Sequence, residues 1–186
     1  MIRRDVGREP PAIISERWIA AAFEQKGRRT AEQVEVLKQS DTLIDEIRRA
    51  DVLLIATPNY NYGMPAALKA WVDQVIRVEE TFSFDLARGD QPLEPILSGR
   101  TMVILSSSGE FGYAPGGPNA EHNHLEPHLR SAGRLFGVSS TFHIAIEYEE
   151  FGGERHALSK AEAHRRAREL ARQLASTSVD HCAEQA

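Results

Sequence analysis

Two amides and two phenols stand side by side at Asn59, Tyr60, Asn61 and Tyr62. They follow the apolar run at residues 52–56, whose branched side chains predict a parallel strand buried on both faces. Ligands of open α/β sheets bind at the carboxyl ends of such strands. This turn is therefore a candidate binding site. Turn chemistry alone is the alternative explanation, since asparagine tolerates unusual backbone angles.

A second polar turn follows the compact apolar run at residues 101–105, which predicts another strand. The turn contains Ser107, Ser108, Gly109 and Glu110. It also lies at the carboxyl end of its strand, so it is a second region where a ligand could bind.

The elements that must position these turns alternate along the chain. Ser15 and the pair Thr30 and Gln33 predict helix starts, and Gly63 with Pro65 opens a helix that runs to about residue 80. A helix ending near residue 136 begins between residues 121 and 127, and a last helix runs from the cap at residue 159 to about residue 175. Short strands are predicted at residues 1–6, 81–85 and 141–146. This alternation predicts one α/β domain, residues 1–186, with a parallel sheet, helices on both faces and a frayed tail from residue 176.

The composition excludes several classes of function. The net charge is −5 and the pI is about 5.8, which argue against binding to nucleic acid or to an anionic membrane. Cys182 is the single cysteine, so the chain has neither an internal disulfide nor a cysteine metal cluster. Without an apolar run of membrane-spanning length, a cytoplasmic location is expected.

Residues 57–71 resemble the flavin-contacting loop and following helix of the flavodoxin-like FMN-dependent NADH azoreductases and NAD(P)H quinone reductases. The resemblance implies a flavodoxin-like three-layer sandwich that binds FMN and takes electrons from NADH or NADPH. It also implies quinones or azo compounds as acceptors, with reduction by two-electron hydride transfer, and a homodimer.

The resemblance assigns cofactor-binding roles to both turns. The five residues that would border the isoalloxazine are Pro58, Asn59, Tyr60, Asn61 and Tyr62. The opposing wall would be Ser107, Ser108, Gly109 and Glu110, where this chain departs from the azoreductase pattern at Ser108 and Glu110. The departure at Ser108 removes a basic group that would donate toward the flavin.

Tyr113 and His124 resemble a Tyr and His pair beside the flavin of quinone reductases, which would stabilise the negative charge of the reduced cofactor. Alternatively, Tyr113 is a loop aromatic and His124 a solvent-facing residue. His124 and His128 are spaced to share a helix face, but Pro127 interrupts that helix and a third ligand of suitable spacing is missing, so we expect no metal site.

Proteins of this family open with a strand, a Ser-rich phosphate-binding loop and a helix. No such unit precedes residues 1–6, which predicts an amino-terminal truncation, and FMN binding weakened by loss of the phosphate site. Two other functions stay open. One is an NADPH-dependent flavin or chromate reductase, and the other is an apo flavodoxin-like protein without activity.

Overall fold

The computed structural model describes the backbone of residues 1–183 and the side chains of residues 1–176. The helices within this part of the chain are α1 (Glu16–Phe23), α2 (Ala31–Arg48), α3 (Ala66–Val75), α4 (Glu126–Gly133) and α5 (Gly153–Ala183). The strands are β1 (Val52–Pro58), β2 (Phe82–Phe84), β3 (Leu93–Pro95), β4 (Arg100–Ser107) and β5 (Val138–Ile146). None of these helices is long and apolar enough to cross a lipid bilayer.

Three of the strands form a parallel sheet in the order β1-β4-β5. Because β4 is the central strand, the carboxyl ends of β1 and β4 are adjacent, and Pro58 is paired with Ser107. This confirms the predicted parallel sheet and places both polar turns at one edge. The predicted arm at residues 81–85 is also present, as β2 paired antiparallel with β3.

The sheet is covered by helices on both faces. On one face, α2, α3 and α4 bury apolar side chains against alternate residues of β4, including Met102 and Ile104. On the other face, α5 packs Ala163 and Leu170 against Val103 and Ile144. Side chains alternate between the faces of a strand, so each face has its own core and the expected three layers are formed.

Local sequence signals explain where several helices begin. The Ser15 hydroxyl accepts from the Trp18 N–H at the start of α1. Thr30 and Gln33 form the predicted capping box of α2. Ser159, by contrast, lies inside α5, where its hydroxyl accepts from the Glu147 N–H. The prediction that Ser159 caps the last helix was therefore wrong by about two turns.

Three further expectations need correction. Strand β1 is not buried on both faces, because α5 packs over β4 and β5 and leaves Val52 and Leu54 exposed to 42% and 63%. Residues 1–6 form no strand, and Arg4 instead pairs with Glu46 of α2. Helix α5 extends to Ala183, past the predicted end at residue 175, while residues 184–186 of the expected tail lie outside the described residues.

A buried ionic cluster joins the end of α3 to α2. Arg77, which is only 2% exposed, contacts the carboxylates of Asp41 and Glu80 and donates to the Ser40 hydroxyl over 2.9 Å. Glu80 also accepts from Arg48. A buried guanidinium is tolerated only when it is paired in this way. The cluster therefore fixes the chain where it leaves the helix that follows the first polar turn.

Glu80 should make the stability of the protein depend on pH. Burial opposes its charge, but hydrogen bonds from Arg48 and Lys26 and the charge of Arg77 outweigh burial and lower its pKa to about 2. The pKa in the unfolded chain is about 4.3. Glu80 therefore stabilises the fold above that value, and the contribution is lost as pH falls toward 2.

Urea unfolding from pH 6 to pH 3 should show a smaller loss of stability in E80Q than in wild type. The matched variant E121Q, at an exposed carboxylate, should keep the wild-type slope, and an unchanged slope in E80Q would contradict the assignment.

Candidate functional site

The first turn is held directly against the end of β4. The Asn59 N–H donates to the Ser107 carbonyl over 2.8 Å, which continues the ladder between β1 and β4. Tyr60 and Gly63 then exchange two backbone hydrogen bonds of 3.0 Å. Between them, Asn61 and Tyr62 have φ angles of 48° and 67°. Two successive left-handed residues make a tight turn, so the polar side chains project from a closed backbone loop.

The two asparagines of this turn have different roles. Asn61 adopts the left-handed angle that its residue type tolerates, so turn chemistry accounts for it. Asn59 is not in that conformation, and its Oδ1 is buried without a hydrogen-bond partner among the described residues. A buried acceptor without a partner costs free energy. The site therefore offers an acceptor to a ligand that carries an N–H group, as the isoalloxazine of FMN does.

The second turn is attached to the segment that follows β5. The Ser108 N–H donates to the Ile146 carbonyl over 2.9 Å, and the N–H groups of Glu149 and Glu150 donate to the Ser108 and Gly109 carbonyls. A side chain at Gly109 would displace the exposed, flexible side chain of Glu150. The backbone hydrogen bonds hold the two segments together, so the segment after β5 supports the second wall from behind.

Tyr113 lies beside this wall with its side chain almost fully enclosed, at 9% exposure. Its hydroxyl donates to Oε2 of Glu110 over 2.9 Å. The backbone N–H groups of Tyr113 and Gly112 both donate to Oε1 of Glu147. Burial, followed by the hydrogen bond and charge of Glu110, raises the pKa of the Tyr113 phenol well above its usual value. The phenol is therefore held protonated, with its hydroxyl on Glu110 and the backbone of the same residue on Glu147.

Tyr62 connects the first turn with the segment that carries the histidines. Its carbonyl accepts from the His124 N–H over 2.9 Å, and its ring lies 5.4 Å from the ring of His122. The side chain of His124 is exposed, and the Tyr113 hydroxyl is bonded to Glu110 instead. The structure thus places the two turns (residues 58–62 and 107–110) close to Tyr113 and to the segment that carries the histidines. The hydrogen-bond partner of the Tyr113 hydroxyl, however, is a carboxylate and not His124.

The histidines do not share a helix face. Helix α4 begins at Glu126, so His124 precedes it and only His128 lies within it. Among the described residues, no group of three or more His, Cys, Asp or Glu side chains is arranged to hold a metal ion.

The sequence analysis overlooked the segment after β5. The rings of Phe111 and Tyr148 stack at 4.5 Å, with Phe151 edge-on to both, and the Arg155 guanidinium lies 5.1–5.7 Å from the three ring centres. Such contacts bind the start of α5 to the second wall. The dense acidic and aromatic run at residues 147–151, directly after a predicted strand, was the available signal.

The chain is similar in sequence to one protein family and to several curated proteins. Residues 1–171 match a family model described as flavodoxin-like fold. FMN-dependent NADH:quinone oxidoreductase 2 of Idiomarina loihiensis is 51% identical over 96% of this chain and 75% of its own length. The protein of the same name from Colwellia psychrerythraea is 50% identical over 94% of this chain and 80% of its own length.

Solved structures agree with the fold. An FMN-dependent NADH-azoreductase from Bacillus anthracis, in complex with FMN, superposes with a TM-score of 0.78 over 92% of this chain and 80% of that one. Its sequence identity is 18%, so this likeness concerns the fold alone.

The comparisons do not bear out the expected amino-terminal truncation; residues 1–171 match the family model. No comparison tests the expected weakening of FMN binding, and a flavin titration of the purified protein measures it. Since the curated relatives are about half identical over nearly the whole chain, the chain belongs to the flavodoxin-like family of FMN-dependent NADH:quinone oxidoreductases.

Proposed function

We propose that this chain is an FMN-dependent oxidoreductase that reduces quinones with electrons from NADH. The observation that supports this most is the convergence of two polar turns at the carboxyl ends of β1 and β4, with the buried Asn59 Oδ1 left for a ligand. The names of the curated relatives supply the donor and the acceptor class. When bound, FMN would accept hydride from the nicotinamide and pass it to the acceptor.

The residues of the chain would position the cofactor rather than form bonds to it. Asn59 would accept a hydrogen bond from a ring N–H, and the exposed rings of Tyr60 and Tyr62 would border the isoalloxazine. The opposing wall would be the backbone of residues 107–110, held in place by the segment after β5. Pro58 and Asn61 would shape the first wall through their backbones.

Tyr113 and His124 stay our candidates for the charge and proton chemistry of the reaction. Tyr113 is the better placed of the two, since its protonated hydroxyl lies next to Glu110 of the second wall and near enough to Tyr62 of the first wall for the two phenols to interact electrostatically. The backbone N–H of His124 helps to hold the first turn through its hydrogen bond to the Tyr62 carbonyl. The imidazole of His124 is exposed, so it could face an entering ligand.

The resemblance to azoreductases and quinone reductases suggests further acceptors, a second donor, a compartment and an oligomeric state. Azo compounds would be alternative acceptors, NADPH an alternative donor and the cytoplasm the compartment. A homodimer is supported by exposed apolar side chains around the β2–β3 hairpin, namely Phe84, Leu86, Leu93 and Ile96. Sedimentation of micromolar protein should give twice the chain mass of 20.7 kDa, and a strict monomer would contradict the dimer.

The proposed function is tested by adding FMN to the purified protein, removing free FMN, and following NADH oxidation with a benzoquinone. We expect bound flavin absorbance and quinone-dependent NADH consumption. Parallel assays with free flavin and with chromate separate the alternative reductase activity. A protein that retains no flavin, or that holds flavin but reduces only chromate, would overturn the proposal.

Substituting alanine for Asn59 should weaken FMN binding about tenfold, because one hydrogen bond to a buried acceptor is worth about 1–2 kcal/mol. The unliganded protein should not lose stability, since the variant removes a polar atom that has no partner there. Flavin fluorescence titration gives the dissociation constant, and thermal unfolding gives the stability of the unliganded form. Y60F, which removes only an exposed hydroxyl, is the matched control. Equal affinity in N59A and wild type would show that Oδ1 does not meet the flavin.

A further inference from the structure

The hydroxyl of Tyr113 has a single hydrogen, and it donates that hydrogen to the Glu110 carboxylate. The donor–acceptor distance is 2.9 Å, which is within the range of an O–H···O hydrogen bond to the carboxylate oxygen. A phenol that donates in this way presents only its lone pairs to the rest of the site. Tyr113 can therefore give a proton to a ligand only if it takes another from Glu110 in exchange.

The surroundings of the pair oppose a phenolate. Glu147 holds the backbone N–H of Tyr113, and the phenol lies near Tyr62, so a negative oxygen at this position would be close to existing acidic groups. The raised pKa of the Tyr113 phenol agrees with this arrangement. Other charged or titratable groups lie on the elements packed against the pair, and they include Tyr148, Glu149, Glu150, Arg155, His156, His122 and His124.

We propose that Glu110 supplies, by way of Tyr113, the proton that the acceptor takes up when it is reduced. This inference rests on the proposed function, since it concerns the same site. Overall, one NADH, one proton and one quinone give NAD⁺ and a hydroquinone. The hydride carries both electrons, and one further proton must come from the protein or from water.

The transfer is balanced as two coupled proton movements. The O–H bond of Tyr113 breaks as its proton bonds to a quinone oxygen, and the protonated carboxyl of Glu110 gives its own proton to the phenol oxygen. Tyr113 stays neutral throughout, and Glu110 is left as a carboxylate that accepts from the new O–H. That end state is the arrangement observed in the structure. A solvent proton then restores Glu110.

This assignment gives Glu110 a role that the resemblance did not. At the position where azoreductases often have glycine, the chain has a carboxylate within hydrogen-bond distance of a buried phenol. Glu110 acts through Tyr113, so it is a positioning and proton-supplying residue, whereas Tyr113 would touch the acceptor. The exposed side chain of His124 is not required for the step.

The pair itself can be tested without flavin, by ultraviolet titration of the tyrosines. The difference between the wild type and Y113F isolates the Tyr113 phenol, and the difference between E110Q and E110Q/Y113F isolates it without the carboxylate. We expect the midpoint to move down, toward the ordinary phenol value of about 10, when Glu110 is replaced. An unchanged midpoint would overturn the control of Tyr113 by Glu110. Circular dichroism at each pH confirms that the variants are folded.

The proton transfer is tested by a single turnover in which reduced, flavin-loaded protein is mixed with a benzoquinone. The wild-type rate should rise as pH falls, since the protonated carboxyl is the donor, and it should drop in D₂O. E110Q should be slower by about a hundredfold or more, with a flat pH profile. E110D, which keeps the acid, should restore part of the rate and the pH dependence, and the matched variant E121Q should behave as wild type.

The outcomes separate this proposal from the proposed function. If wild type lacks quinone reduction altogether, the proposed function fails, and the phenol titration alone still decides whether Glu110 controls Tyr113. If E110Q reduces quinone at the wild-type rate with the wild-type pH profile, the proposed function stands and the relay is wrong. If E110Q does not fold, E110D carries the test, since a full wild-type rate after the carboxyl has been moved away from the Tyr113 hydroxyl would also contradict the relay.

Discussion

The F136A variant is expected to unfold with a free energy about 3–5 kcal/mol lower than that of wild type. Phe136 is 0% exposed and belongs to the core formed by α2, α3, α4 and the sheet. Its ring also meets Trp71 edge-on at 5.8 Å. Truncation to alanine removes buried apolar surface and leaves a cavity, which together cost this amount in well-packed cores. Urea unfolding followed by tryptophan fluorescence measures the change.

The matched control is F23A, since Phe23 is 75% exposed on α1 and has little buried surface to lose. Its stability should stay within about 0.5 kcal/mol of wild type. A loss of under about 1 kcal/mol in F136A would mean that the core around α4 is loosely packed. The position of the histidine segment, which leads directly into α4, would then need another explanation.

The second large effect is expected at Arg77. Replacing it with methionine keeps much of the buried stem but leaves Glu80 and Asp41 without their shared cation. Removal of one partner of a buried ion pair costs about 3–5 kcal/mol when the remaining charge is left uncompensated. Glu80 keeps Arg48 and Lys26, and Asp41 is half exposed, so we expect a loss near the lower end of that range. The measurement is the midpoint and slope of urea unfolding at pH 7.

A double variant distinguishes loss of pairing from loss of packing. In R77M/E80Q the buried carboxylate that lost Arg77 is also removed, so part of the stability lost in R77M should return. Glu80 also contacts Arg48 and Lys26, so the recovery will be incomplete. If the two substitutions are instead strictly additive, the ionic cluster does not act as a unit.

Much of the fold could be predicted from the sequence because its signals are local. The apolar runs gave the parallel strands, and the capping box at Thr30 and Gln33 gave the start of α2. A local signal gave a wrong prediction where the same residue type can serve two purposes. Ser159 has the residue type of a helix cap, but its hydroxyl is used by the Glu147 N–H, and α5 starts at Gly153.

The neighbours of an element were much harder to predict than the element itself. The sequence of β1 is as apolar as that of β4, yet the exposure of Val52 and Leu54 depends on where α5 lies, which is a tertiary property. The candidate site shows the same limit. Both turns were found from residue type and position, whereas the contact between Tyr113 and Glu110 depends on loop geometry that residue spacing does not specify.

The position of β1 at the edge of the sheet makes the two walls of the site unequal in stiffness. Within the part of the chain that the structure describes, strand β4 is hydrogen-bonded on both sides, whereas β1 has a ladder with β4 alone. Outward amides of an edge strand exchange with solvent, and a strand with one ladder opens locally at a lower free energy. The first turn therefore extends from the more yielding strand and the second from the more rigid one. When a flat ligand binds between the two turns, we expect the turn after β1 to change its position and the turn after β4 to keep its position.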